Sequence, residues 1–233
     1  MLLLTILFYC ALAIWTILMG VLSLPFIFLP SKYIRFPAKI WIKGIFIFLR
    51  NLCGITPEIK GLYNLSDEPL IIVSKHQSAF ETFALYYYLE NSFFIHKKQL
   101  FLIPIFGQYL MKSKMVSIDR AGHAATIRKM INDVKRKLDD GSTIIIFPEG
   151  TRKKPKEKAD YKTGFIGIYN IANRKLQPVA LNSGLYWQKG IKIMKKGHII
   201  IEFLPQIDIG LDKREVLKKV ENSIESATNK LFS

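Results

Sequence analysis

Residues 69–82 read PLIIVSKHQSAFET, and the fold follows from how that stretch begins. Pro69–Ser74 is an unbroken apolar, β-branched run, the pattern of a strand buried on both faces of a sheet rather than half-exposed on one. Working outward, similar short runs occur at Ser92–His96, Met115–Ile118, Thr143–Phe147, Gln177–Leu181 and His198–Phe203. Helical patterns lie among them. In His123–Leu138 the apolar positions Ile127, Met130, Ile131, Val134 and Leu138 recur at three- and four-residue spacing, with Arg and Lys opposite. A last helix is predicted from about Asp212, with Leu217, Val220, Ile224, Ala227 and Leu231 as its stripe and Asp212 with Glu215 as a capping box. Strands alternating with helices predict an α/β domain whose sheet is covered by helices.

The N-terminal region has a different character. Met1–Ser31 carries no charged side chain, and Leu2–Leu29 is long enough to cross a bilayer as a helix, with Pro25 and Pro30 breaking it near its end. Lys32, Arg35, Lys39, Lys43 and Arg50 follow, a basic flank that places the remainder of the chain on the cytoplasmic side. A cleaved signal peptide would want a basic start and a shorter apolar core. A buried core helix of this length would be unusual in so small a protein. Trp41–Leu49 (WIKGIFIFL) is too short to span and reads as an interfacial helix. The division expected is 1–50 for membrane-anchoring helices and 51–233 for the α/β domain, with Asn51–Glu68 as a polar linker.

The 233 residues include 34 Lys or Arg against 18 Asp or Glu, a net charge of +16, while half the chain is apolar. That composition excludes a disordered chain and points to anionic partners. Two cysteines, Cys10 and Cys53, build neither a disulfide framework nor a CxxC metal site. The four histidines, His76, His96, His123 and His198, lack metal-ligand spacing, so no metal is expected.

Two stretches carry chemistry. His76 and Glu81 are five residues apart, about 140° around a regular helix, so they meet only if His76 sits in a loop and Glu81 in the first turn of the next helix. A carboxylate there accepts the proton of one ring nitrogen and leaves the other as a base. A structural contact would have the same spacing, but the C-terminal ends of strands in open α/β sheets are where ligands bind. Phe147–Arg152 (FPEGTR) also follows a strand. Its turn offers backbone N–H groups, the Thr151 hydroxyl and the Arg152 guanidinium, a set suited to a phosphate dianion. It opens a stretch with twelve Lys or Arg between Arg152 and Lys196. An ordinary turn before a solvated basic surface would read the same way.

Taken together, KHQSAFET and FPEGTR, in that order and about seventy residues apart, resemble the first and third signature blocks of the glycerolipid acyltransferases, more narrowly the bacterial 1-acyl-sn-glycerol-3-phosphate acyltransferases. Lys97–Leu100, Ile103–Gly107 and Ile118–Arg120 are similar to the second block, and Gln177–Leu181 to the fourth. The resemblance implies a mixed β-sheet flanked by helices and a membrane-attached N-terminus. It implies His76 as general base on the sn-2 hydroxyl of lysophosphatidic acid, with Glu81 orienting it; most family members carry Asp where this chain has Glu81. It places Glu149, Gly150, Thr151 and Arg152 at the glycerol-phosphate site, with Arg120 and Lys97 adding positive charge. The acyl group would come from acyl-CoA or acyl carrier protein, with no other cofactor, and the product would be phosphatidic acid. No acyl-enzyme is expected, because the chain has no G-x-S-x-G elbow and Asn182-Ser183-Gly184 does not match one. Anionic membrane lipids would be neighbours, at the cell inner membrane. The alternative within the same chemistry is another lysolipid acceptor, such as a lyso-ornithine lipid, a lysophospholipid or a lipid A precursor. A tethered nucleic-acid-binding protein would also suit the charge, but no recognition motif supports it, and nucleic acid is not an expected partner. An inactive scaffold is disfavoured by the intact His76 and Arg152.

Overall fold

The computed structural model describes residues 1–232 except 104–105, 114, 119–123, 158–159 and 191–193, with the backbone alone at 97, 118 and 124–127. The chain runs α1 (Leu2–Leu22), α2 (Arg35–Cys53), β1 (Ile55–Lys60), β2 (Ile71–Ser74), α3 (Phe80–Tyr88), β3 (Ser92–Lys97), α4 (Phe106–Lys112), β4 (Val116–Ile118), α5 (Ala124–Asp139), β5 (Thr143–Ile146), α6 (Gly164–Ala172), β6 (Leu176–Leu181), β7 (Gly197–Phe203) and α7 (Lys213–Lys230). The strands form one seven-stranded sheet in the order β1-β7-β6-β2-β5-β3-β4. Every neighbouring pair is parallel except β6 with β7, so the sheet is mixed.

β2 and β6 are buried along their whole length. Strand side chains alternate between faces, and β2 divides accordingly. Ile72 joins a core with residues of α1, α2 and α3, while Ile71 and Val73 join a second core with α5, α6 and α7. Pro178 lies inside β6, where a missing N–H would leave a partner carbonyl unpaired. The strand accommodates it at the end of β7: Leu204 N donates to the Pro178 carbonyl, and the carbonyl of Leu204 takes the side-chain amide of Gln177 instead.

Three expectations are corrected. The polar segment 51–68 is not only a linker, since it holds β1, an edge strand parallel to β7 in which only Ile55 is fully buried. An edge strand needs no continuous apolar run and tolerates Pro57, so its pattern was weak. The interfacial segment 41–49 is the middle of a longer helix, α2, ended by left-handed Gly54. In α7 the buried stripe is Val216, Val220, Ile224 and Thr228, one residue away from Leu217 and Ala227. Asp212 does cap that helix, accepting from the backbone N–H groups of Arg214 and Glu215.

α1 and α2 pack as a hairpin against the first core. Phe8 is fully buried and stacks edge-on against Trp187. The Trp15 indole donates to the Trp41 carbonyl (2.9 Å), and the Trp41 indole donates to the Thr16 hydroxyl (3.1 Å). The contact is close because residue 44 is glycine: a Cβ there would lie 2.3 Å from Trp15 Nε1. At the start of α2 the Arg35 guanidinium donates to the carbonyls of Tyr86, Leu89 and Ser92, and Lys39 pairs with Glu90. Part of the basic flank therefore fastens α2 to the end of α3. Gly44→Leu should force the Trp15 ring out and destabilise the fold by about 1–3 kcal/mol. A lower melting temperature with altered tryptophan emission is the expected result; an unchanged pair of readings would show that the hairpin does not depend on this contact.

Candidate functional site

β6, β2 and β5 are adjacent and parallel, so the loops that follow them emerge at one edge of the sheet. These loops are 75–79, 147–153 and 182–186. Hydrogen bonds bring them together: Lys153 N donates to the His76 carbonyl (2.8 Å) and Gly184 N to Gln77 Oε1 (3.1 Å), while Lys75 N continues the sheet by donating to the Val179 carbonyl of β6 (3.0 Å).

His76 stands in the first loop and Glu81 in the first turn of α3. His76 Nδ1 lies 2.9 Å from Glu81 Oε1. The Glu81 carboxylate is fully buried. Its Oε1 also accepts the backbone N–H groups of Gln77 and Ser78 at 2.6 Å each, and its Oε2 accepts the Ser183 hydroxyl at 2.7 Å. Both carboxylate oxygens are thereby met by donors. The carboxylate in turn favours a proton on Nδ1, which leaves the lone pair on Nε2. The His76 ring stacks on Phe147 with centroids 4.0 Å apart and planes 15° from parallel, and its side chain keeps 16% exposure.

Glu149 of the FPEGTR stretch points inward, with no exposed side-chain surface. Its Oε1 accepts the His76 backbone N–H (2.8 Å) and its Oε2 pairs with Lys75 Nζ (3.3 Å). Burial pushes the Glu149 carboxyl above the usual carboxylate range, and the Lys75 ammonium pulls it back. Lys75 is itself 2% exposed and reaches Glu225 of α7 (2.8 Å), which also accepts the Tyr161 hydroxyl (2.8 Å). Burial and the neighbouring Glu225 carboxylate push the Tyr161 phenol up, so it remains a donor. One buried cluster thus links the His76 loop to the C-terminal helix.

The FPEGTR loop grips His76 from both sides, through Glu149 on its N–H and Lys153 on its carbonyl. Summing the intervening bonds puts the Arg152 and His76 Cα atoms no more than roughly 8 Å apart. Gly150 turns this loop at φ 66°, and Thr151 is exposed. Lys97 is the last residue of β3, and Arg120 lies outside the described residues. His198 bonds Thr56 across β1 and β7 (2.9 Å), and the ring of His96 meets Phe101 edge-on. Among the described residues no group of three or more His, Cys, Asp or Glu is placed to hold a metal ion.

Lys75, Ser183, Tyr161 and Glu225 were not anticipated as parts of this site. Lys75 had a visible signal, a charge directly continuing an apolar strand. Ser183 and Glu225 had none, because their relation to the His76 loop is purely tertiary.

Comparison with known proteins gives a consistent picture. The family model described as Acyltransferase matches residues 56–182. The chain is 32% identical over 188 residues to the 1-acyl-sn-glycerol-3-phosphate acyltransferase of Pseudomonas aeruginosa, covering 79% of this chain and 73% of that one. It is 34% identical over 133 residues to the enzyme of the same name from Helicobacter pylori, covering 56% of this chain and 55% of that one. The crystal structure of the 1-acyl-sn-glycerophosphate acyltransferase PlsC from Thermotoga maritima superposes with a TM-score of 0.79 at 25% identity, over all of this chain and 96% of that one.

The buried cluster generates a test. Lys75→Met leaves two carboxylates facing each other without their cation, and breaking a buried pair this way destabilises by about 3–5 kcal/mol. The double variant Lys75→Met/Glu149→Gln should recover part of that loss. Chemical denaturation measures both, and a double variant no more stable than the single would refute the charge argument.

Proposed function

The chain belongs to the acyltransferase family, and from that premise we propose that it transfers a fatty acyl group from an acyl thioester to the sn-2 hydroxyl of 1-acyl-sn-glycerol-3-phosphate, giving phosphatidic acid. The observation that carries this reading is the His76 imidazole, held by a buried carboxylate at Nδ1 and gripped through its own peptide by the loop that carries Arg152. Nε2 takes the proton of the sn-2 hydroxyl as its oxygen attacks the thioester carbonyl carbon. The tetrahedral intermediate collapses with cleavage of the C–S bond, and the leaving thiolate receives the proton from Nε2. His76 returns to its starting state, and no acyl-enzyme forms. General-base assistance of this kind contributes about 10²–10⁴ in rate.

The acceptor phosphate is assigned to Arg152, with the Thr151 hydroxyl and the Gly150–Thr151 backbone beside it and Lys97 and Arg120 adding positive charge. A planar guanidinium suits bidentate phosphate binding. Glu149 acts differently from the other residues of that stretch: buried and turned inward, it supports the His76 backbone rather than touching the phosphate. The donor is acyl-CoA or acyl-acyl carrier protein, two thioesters that present the same reacting group.

α1 has the composition of a membrane span, with mean hydropathy 2.4 and most of its residues outside the core. Yet both of its ends are bonded to the rest of the chain. Met194 N donates to the Thr5 hydroxyl (3.1 Å), and the Tyr109 hydroxyl donates to the Gly20 carbonyl (2.6 Å). A helix of 21 residues, roughly 32 Å long, lies along the catalytic body when so held. Its exposed Leu3, Ile14, Ile17 and Leu22 then face the lipid of one leaflet. We place that leaflet on the cytoplasmic side of the inner membrane, whose anionic surface suits a chain of net charge +16.

Purified protein assayed with lysolipids that differ only in head group tests the acceptor: turnover should be greatest with 1-acyl-glycerol-3-phosphate, and a preference for an acceptor lacking a phosphate would overturn the assignment. His76→Ala should lose at least about 100-fold in kcat. Arg152→Ala should instead raise the acceptor KM, by about tenfold or more, with the donor KM unchanged. A label at Met1 should be reachable from the same side of the membrane as the catalytic body; protection there would mean that α1 crosses.

A further inference from the structure

We propose that Ser183 is a positioning residue for the catalytic pair, its hydroxyl fixing the Glu81 carboxylate and through it the orientation of the His76 imidazole. This rests on the acyl-transfer reading above and adds to it a residue outside both signature loops. Three donors converge on Glu81 Oε1: His76 Nδ1 and the backbone N–H groups of Gln77 and Ser78. The backbone pair comes from the His76 loop itself and would travel with any shift of that loop. The other oxygen, Oε2, takes its donor from a separate strand end, the Ser183 hydroxyl at 2.7 Å. A carboxylate held at one oxygen pivots about it, whereas one held at both has a fixed plane. Both side chains are fully buried, so water does not replace the hydroxyl if it is lost, and an unmet acceptor on a buried charge is expensive.

The hydroxyl is a fixed reference because its loop is locked. Gly184 N donates to Gln77 Oε1 (3.1 Å), and a Cβ at Gly184 would lie 3.0 Å from Gln77 Cβ and 3.1 Å from Pro155 Cγ. The Trp187 backbone N–H returns to the Ser183 carbonyl (2.9 Å), and Ile200 N donates to Asn182 Oδ1 (2.8 Å). Ser183 therefore couples the end of β6 to the pair carried by β2 and α3. The same geometry keeps it from being a nucleophile. Its proton is committed to a carboxylate, it is sealed from solvent, and it sits on the Nδ1 side of the pair rather than at Nε2.

The effect expected is on turnover. Ser183→Ala should lower kcat at least about tenfold while both KM values stay within about twofold, because substrates still bind and only the base is misaligned. The near-isosteric Ser183→Cys, a weaker donor, should fall between the two, and it keeps the question open to measurement if the alanine variant does not fold. A hydroxyl that only filled space would leave kcat near wild type in a folded variant; that result, or a loss confined to KM, overturns the proposal. A second readout needs no substrate. In protein labelled with ¹⁵N-histidine, the His76 Nδ1 resonance, assigned by its disappearance in His76→Ala, should move in Ser183→Ala and Ser183→Cys. An unmoved resonance also refutes the coupling. If the wild type acylates none of the lysolipids while the resonance moves, the acceptor assignment fails and the positioning role stands.

Discussion

Three parallel strands ending at one edge of the sheet are the constraint on which the site depends. β6, β2 and β5 are neighbours, and each delivers a loop to the same place. The register of the sheet sets where the loops emerge, and one backbone bond from Lys153 to His76, with the side chains of Glu149 and Gln77, then joins them. A one-residue slip in β2 would turn Ile72 to the opposite face and carry the histidine with it. Burial of both faces of β2 by two separate cores makes that slip costly.

Charge is used sparingly and deep inside. A chain of net charge +16 buries two glutamates beside its histidine, and each has a different counterweight. Glu81 is balanced by hydrogen-bond donors alone, which leaves its charge directed at the imidazole. Glu149 is balanced by Lys75, which shares its charge with Glu225 on the last helix. One carboxylate thus meets the imidazole ring and the other holds the backbone beneath it. C-terminal residues that would otherwise only cover the sheet become part of the support for the site.

Much of this was legible in the sequence, and the reasons differ by residue. Strands in this sheet have short apolar runs, whether buried throughout as in β2 and β6 or alternating in burial as in β7, so β2, β3, β5, β6 and β7 were read within a residue or two of their observed ends. β1 was not, because an edge strand with one buried residue and a proline has no such run. The meeting of His76 and Glu81 follows from local chain geometry across five residues. The placement of Glu149 does not: a glutamate in a phosphate-binding pattern reads as a ligand until its inward partners, Lys75 and the His76 backbone, are seen. Ser183 lies 102 residues from Glu81, and nothing in Asn182-Ser183-Gly184 hints at its partner. The stripe of α7 shifted by one position because Leu217 and Val216 are both apolar, and only the packed neighbours choose between them.

The Phe147 ring has a directional consequence for the chemistry. Lying flat against the imidazole, it shuts one π-face, while Glu81 occupies the edge at Nδ1. A lone pair on Nε2 lies in the ring plane, so the alcohol of the proposed reaction is confined to a narrow corridor along that plane instead of a wide cone. Phe94 stacks behind Phe147 in nearly the same orientation and stiffens that wall. On the acyl-transfer proposal, the trajectory of the attacking oxygen is inherited from two aromatic side chains that take no part in the bond changes.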